Sequence, residues 1–290
     1  SFGIFNRFVD NPLSSWTDLG IFFSLILLFL LSLLSFLPIS GFFRRAIEVG
    51  VLLSFVVVAV VGLERLWWII FSLFTAFLIL LAVRAERSQA GMTTVIRSLW
   101  VPVVILVLSI LFVFFREPLT NRIVAIENSL GVQIINFEAR PSWASSVAII
   151  RGIYTENPAS LITGVGPTRF FLEWQKRKPV EVNQTVYWNT DFNTAIGLIP
   201  TAFVTSGLLG LLAWMLFLGW FLLAGIKALF NPEEDRLGGA LILITFLLAL
   251  YLWVMAFVYA LHTALFALAF LMTGLFIASL RTSNRLPSLN

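Results

Sequence analysis

Two arginines, Arg140 and Arg169, stand in the one long stretch of this sequence that water would tolerate, and the turn Gly164-Val165-Gly166-Pro167 precedes the second. The rigid guanidinium fork matches the oxygens of a phosphate. Backbone amides exposed at a glycine-rich turn before a helix add to such a site. The chemistry these residues suit is the holding of an anion, with a phosphate-bearing lipid headgroup as the natural candidate. A plainer reading stands beside it. Basic and aromatic residues near a membrane interface often serve as anchors, and Lys176, Arg177 and Lys178 suit that role. The glycine spacing follows neither the P-loop nor the dinucleotide pattern, so it also fits an ordinary turn. There is one histidine, His262, and no cysteine, so a multi-histidine or thiolate metal site is excluded.

The elements that position these residues are built for lipid. Of 290 residues 59% are apolar and only 12% charged, against about 25% charged in a soluble domain. Mean hydropathy is +0.97 and the pI is near 9.8. An all-α, polytopic transmembrane bundle follows, and the basic excess fits cytoplasmic loops rather than nucleic acid, which is not an expected partner. Runs of roughly 20 apolar residues, the length that crosses a bilayer, predict seven spans. They cover about 19–38, 47–63, 66–83, 99–115, 200–226, 238–257 and 260–280. Three regions result: 1–115 with four spans, a loop of short helices over 116–199, and 200–290 with three spans.

Arginines and lysines in the short loops set the expected orientation. Arg44, Arg45, Arg84, Arg87, Arg97, Lys227, Arg236, Arg281 and Arg285 fall on one side. Arg7 and Arg65 fall on the other. The first side is read as cytoplasmic, with the loop 116–199 outward and the C-terminus inside. The chain starts at Ser1 without a recognisable signal peptide, and "SFGIFNRFVDNPLSSW" reads as an interfacial loop joining two spans. A fragment lacking earlier spans and removal of an initiator methionine both fit. Within the spans almost nothing titrates, which argues against a proton- or sodium-coupled carrier. No paired broken helices of the transporter type stand out. His262 is expected near a span end or bonded to a neighbouring helix.

In the loop, one short helix is expected over 118–130. A second begins near Arg140-Pro141-Ser142-Trp143, with proline in its first turn, and ends before Pro158. Pro167 opens a third, "PTRFFLEWQKRK", whose Phe170, Phe171 and Trp174 form an aromatic face. That pattern predicts a helix lying on the membrane, aromatics down and basic residues near headgroups. "PVEVNQTVYWNTDFN" is polar and short of helix signals, and its "NQT" at 183–185 matches a weak glycosylation sequon.

The order "RPSW" at 140–143, a helix, "NP" at 157–158, "GVGPTRF" at 164–170 and "TSGLLGLLAW" at 205–214 resembles the O-antigen ligase and polymerase family. "KPVEVNQTVYWNTDFN" is similar to a divergent ligase-like branch, some members of which are fused to tetratricopeptide repeats. The match covers roughly 138–215. The resemblance implies a metal- and cofactor-independent glycosyltransferase of the bacterial inner membrane that builds cell-envelope polysaccharide such as lipopolysaccharide. Its substrates would be a polyprenyl-diphosphate-linked glycan and a lipid, glycan or protein acceptor, handled among membrane lipids. Loop arginines, here Arg140 and Arg169, would hold the diphosphate and stabilise its developing charge. Family ligases carry a late-loop His-Asn pair. This chain has Asp191-Phe192-Asn193 there, so Asp191 takes the place of general base and Asn193 that of a substrate ligand. A non-catalytic scaffold or lipid-linked-glycan binding protein is the alternative, with a transporter behind it.

Overall fold

The computed structural model describes residues 15–61, 64–86, 99–115, 140–184, 188–230 and 235–283, together with 118 and 121. The described chain is all-helical. Long helices run over Trp16–Phe36 (α1), Gly41–Val61 (α2), Arg65–Glu86 (α3) and Leu99–Phe115 (α4). Short ones follow at Trp143–Glu156 (α5), Ser160–Thr163 (α6) and Phe170–Arg177 (α7), then a 3₁₀ turn at Val180–Gln184. Leu198–Phe230 (α8), Arg236–Val258 (α9) and Thr263–Thr282 (α10) complete the chain.

Each of the seven expected spans is a helix. Five of them, α1, α3, α8, α9 and α10, are long and apolar enough to cross a bilayer, so the chain is a multi-pass membrane protein. The other two fall short for separate reasons. In α2, Arg44, Arg45 and Glu48 occupy the first two turns and Arg44 pairs with Glu48 at 3.0 Å. In α4 the described helix is simply shorter. The short helix expected over 118–130 lies almost wholly outside the described residues.

The chain divides into two compact units. The first holds Ser1–Asn136, Pro232–Leu252 and Ala267–Asn290. Its α1 packs on α2 and α3, burying Ile21, Leu25, Leu28 and Leu31. Lipid tails are as apolar as leucine, so helices here are held by close packing and hydrogen bonds rather than by the hydrophobic effect. Rings supply much of the packing: Trp68 stacks on Phe112 at 4.5 Å and Trp67 on Phe71 at 5.4 Å. Buried hydroxyls bond one turn back to backbone carbonyls, as Ser32 does to Leu28 and Thr75 to Phe71. Ser72 bonds Ser109 across α3 and α4 at 3.0 Å, and the Trp67 indole N–H donates to the Tyr251 hydroxyl at 3.0 Å. Tyr251→Phe leaves that buried indole without its acceptor. It should lower the unfolding free energy in detergent by about 1 kcal/mol, and thermal unfolding measures the loss.

The second unit holds Phe137–Asn231 and Trp253–Phe266. Its core joins Ile149 and Ile153 of α5, Phe170 and Trp174 of α7, Ala195, and Val204 of α8. A ring cluster of Trp214, Phe217, Trp253 and Phe266 fixes the corner between α9 and α10 against α8.

Two sequence expectations are corrected here. Helix α5 begins in the expected stretch, at Trp143, but Pro141 lies outside its first turn: Ser142 is the cap, its hydroxyl accepting the Ser145 amide at 3.0 Å. Helix α7 opens at Phe170 rather than Pro167. Its aromatic face does not lie on a membrane, because Phe170 is 0% and Trp174 1% exposed within the unit's own core. Helical spacing of aromatics marks a buried face equally well, and α5 supplies its cover.

Candidate functional site

All the candidate residues stand in the second unit. Arg140 lies one residue before the buried Pro141 that leads into α5. Its guanidinium carbon sits 4.0 Å from the centre of the Tyr259 ring. Such a contact is worth roughly 0.5–2 kcal/mol, more where water is excluded, and it fixes a permanently charged group beside the turn from α9 to α10. The Tyr259 backbone amide itself donates a hydrogen bond to the Met255 carbonyl at 2.8 Å.

His262 ends the same turn, exposed, with its carbonyl accepting the Phe266 amide at 3.0 Å. It therefore sits at a span end, three residues from the ring that carries Arg140.

Arg169 closes the glycine turn. Gly164 (φ 73, ψ −173) and Gly207 (φ 63, ψ −158) both occupy a region of backbone space that is essentially confined to glycine. They face one another. A β-carbon at Gly207 would come to 2.5 Å from the Gly164 nitrogen and the Ile162 oxygen, and one at Gly164 would overlap the Thr205–Ser206 peptide. Two backbone bonds lock the contact, Val165 N to Val204 O at 2.9 Å and Gly166 N to Thr205 O at 3.0 Å. The long apolar run read as one span is thus broken at Gly207, and the turn fills the break. "TSGLLG" within an apolar run was the available signal.

Thr168 carries a second anomaly. Its φ is +62, a conformation that is a genuine outlier for a β-branched residue. Strain of this kind costs about 1–3 kcal/mol and clusters where surroundings over-determine a functional segment. Thr168→Gly should raise stability by about 1 kcal/mol in thermal unfolding. A lower melting temperature would show that the turn is not strained there. Nothing in the sequence marks this residue. Arg169 follows exposed, packed back over Gly166, with no ion pair to a described residue.

Asp191 and Asn193 stand exposed on the segment between the 3₁₀ turn and α8. Trp174 grips this segment from beneath: its indole N–H donates to the Thr190 carbonyl at 3.2 Å, and Phe192 meets its ring edge-on at 4.7 Å. Further along, the Ala195 amide donates to the Thr201 hydroxyl at 3.1 Å and the Ile196 amide to the Ser146 hydroxyl at 3.4 Å. Asp191 makes no ion pair or side-chain hydrogen bond with a described residue.

The expected headgroup anchors behave differently. Arg177 bridges Glu156 of α5 and Glu173 of its own helix, with its stem lying over Gly152. It clips α7 onto α5 and is not an anchor. Lys178 donates to the Trp188 carbonyl at 2.6 Å, while Lys176 is exposed beside Glu173. Tyr154 donates to the Phe203 carbonyl at 2.7 Å, and burial pushes its hydroxyl above the ordinary tyrosine value. The sequon threonine, Thr185, lies outside the described residues.

The four site residues therefore share one unit but sit on three separate supports: the Tyr259 ring for Arg140, the glycine turn for Arg169, and the Trp174 grip for Asp191 and Asn193. Arg169 and Asp191 make no ion pair with one another among the described residues. Neither a family model nor a curated protein nor a solved structure matches this chain.

Proposed function

We propose that this protein is a glycosyltransferase of the O-antigen ligase type. It takes a glycan from a polyprenyl-diphosphate carrier and joins it to an acceptor at the outer face of a bacterial cytoplasmic membrane. The observation that carries this reading is that Arg140, Arg169, Asp191 and Asn193 belong to one compact unit, each on backbone fixed by that unit's own packing. In this mechanism the acceptor hydroxyl attacks the anomeric carbon and the bond from that carbon to the diphosphate oxygen breaks. Asp191 takes the hydroxyl proton, and the two guanidinium groups stabilise the charge that develops on the departing polyprenyl diphosphate.

One observation favours a second reading, a lipid-linked-glycan binding protein without catalysis. Among the described residues Asp191 has no orienting partner of the kind a working base usually has. Transfer of a fluorescent lipid-linked glycan in nanodiscs separates the two. An enzyme forms acceptor product and loses about a hundredfold or more in rate on Asp191→Asn. Binding without product from the wild type establishes the scaffold instead.

A further inference from the structure

We infer that the α6 segment, not α7, is the membrane-embedded element of the loop, and that Leu161 and Ile162 lie among the acyl chains of the leaflet on the loop side. Three independent features point to this surface and to lipid as its occupant.

The first is charge. Between Glu156 and Arg169 the sequence carries no charged residue, although the rest of the loop is rich in both signs.

The second is continuity. Ile162 is 55% exposed and Leu161 is exposed beside it, while the Ile162 carbonyl lies against Gly207. Directly after Gly207, α8 presents Leu208, Leu209, Leu212, Met215 and Leu216 outward at helical spacing. That stripe belongs to a span long and apolar enough to cross the bilayer, so it meets lipid. The α6 side chains extend it beyond the break in the helix.

The third is the backbone. Within hydrocarbon every N–H must find an internal acceptor, because each one left open costs several kcal/mol. An irregular water-facing loop has no such requirement. Here the amides of Ser160, Leu161, Ile162, Gly164, Val165 and Gly166 all donate to backbone carbonyls, and Pro158 and Pro167, the two prolines of this stretch, have no N–H to satisfy. Six amides of this short, largely irregular segment thus have internal backbone acceptors, as a membrane-embedded element needs. The first charge after it is Arg169, which this depth places at the headgroup boundary.

The absence of native cysteine makes the test clean. Single variants Ile162→Cys, Leu209→Cys and Arg151→Cys would carry an environment-sensitive fluorophore in phosphatidylcholine–phosphatidylglycerol nanodiscs. Leu209 reports the lipid-facing stripe, and the exposed Arg151 of α5 reports water. The expected result is that Ile162 matches Leu209: blue-shifted emission, quenching by lipid spin-labelled near the top of its acyl chain, and protection from aqueous iodide. Leu161→Cys repeats the measurement should Ile162→Cys fold poorly. Iodide quenching equal to that at Arg151 would overturn the inference. So would protection from both quenchers, which would mean that protein covers the patch.

Discussion

Gly207→Ala should be among the most damaging single-methyl additions to this protein, lowering the unfolding free energy by about 2–6 kcal/mol. The backbone region that Gly207 occupies costs another residue roughly 1–3 kcal/mol, and forcing a methyl into a packed contact costs about 1–3 kcal/mol more. The atoms it meets are the Gly164 nitrogen and the Ile162 carbonyl, which are backbone and cannot swing aside. Gly164→Ala should cost about as much, from the other side of the same contact. Gly219→Ala and Gly274→Ala are the controls. A β-carbon at either position meets nothing within 4 Å, so both should be neutral or up to about 1 kcal/mol stabilising, as alanine is in helices. Thermal unfolding in detergent measures all four. Equal melting temperatures across the set would show that the glycine turn is not locked into the break in α8.

Trp174→Ala should cost about 3–5 kcal/mol, the usual range for emptying a buried tryptophan site. Its functional consequence is more specific. The same side chain holds the Thr190 carbonyl and the Phe192 ring, so its loss frees both neighbours of Asp191. Trp174→Phe keeps a six-membered ring against Phe192 but loses the indole N–H and part of the buried ring volume, at about 1–3 kcal/mol. Protease cleavage between 188 and 197 should rise sharply in the alanine variant and little in the phenylalanine one. If both variants cleave alike, the hydrogen bond rather than the packing holds the segment.

The transmembrane architecture was legible in the sequence because lipid imposes one rule over long stretches: roughly 20 apolar residues and few charges. Helices appear at all seven expected places. The loop was less legible because its aromatics obey a local rule with two solutions. Phe170 and Trp174 repeat at a spacing that fits a membrane surface or a protein core, and only the presence of Ile149 and Ile153 opposite decides for the core.

The supports of the candidate site were hidden for a related reason. Arg140 and Tyr259 are far apart in sequence, and no periodicity joins them. Gly164 and Gly207 face each other through backbone, which leaves no pattern of side-chain types. Asp18, buried in the first turn of α1 with the Ser15 hydroxyl donating to it at 2.7 Å, stands one residue before the expected first span, so apolar run length does not register it.

The central claim is that Arg140 and Arg169 hold a lipid diphosphate, and binding of a polyprenyl-diphosphate-linked glycan to the protein in nanodiscs tests it most directly. The account predicts that Arg140→Ala and Arg169→Ala, each folded like the wild type, bind at least about tenfold more weakly, or about 1.4 kcal/mol. Wild-type binding unchanged by both substitutions would contradict it, and the arginines would then be fixtures of the loop rather than its ligand site.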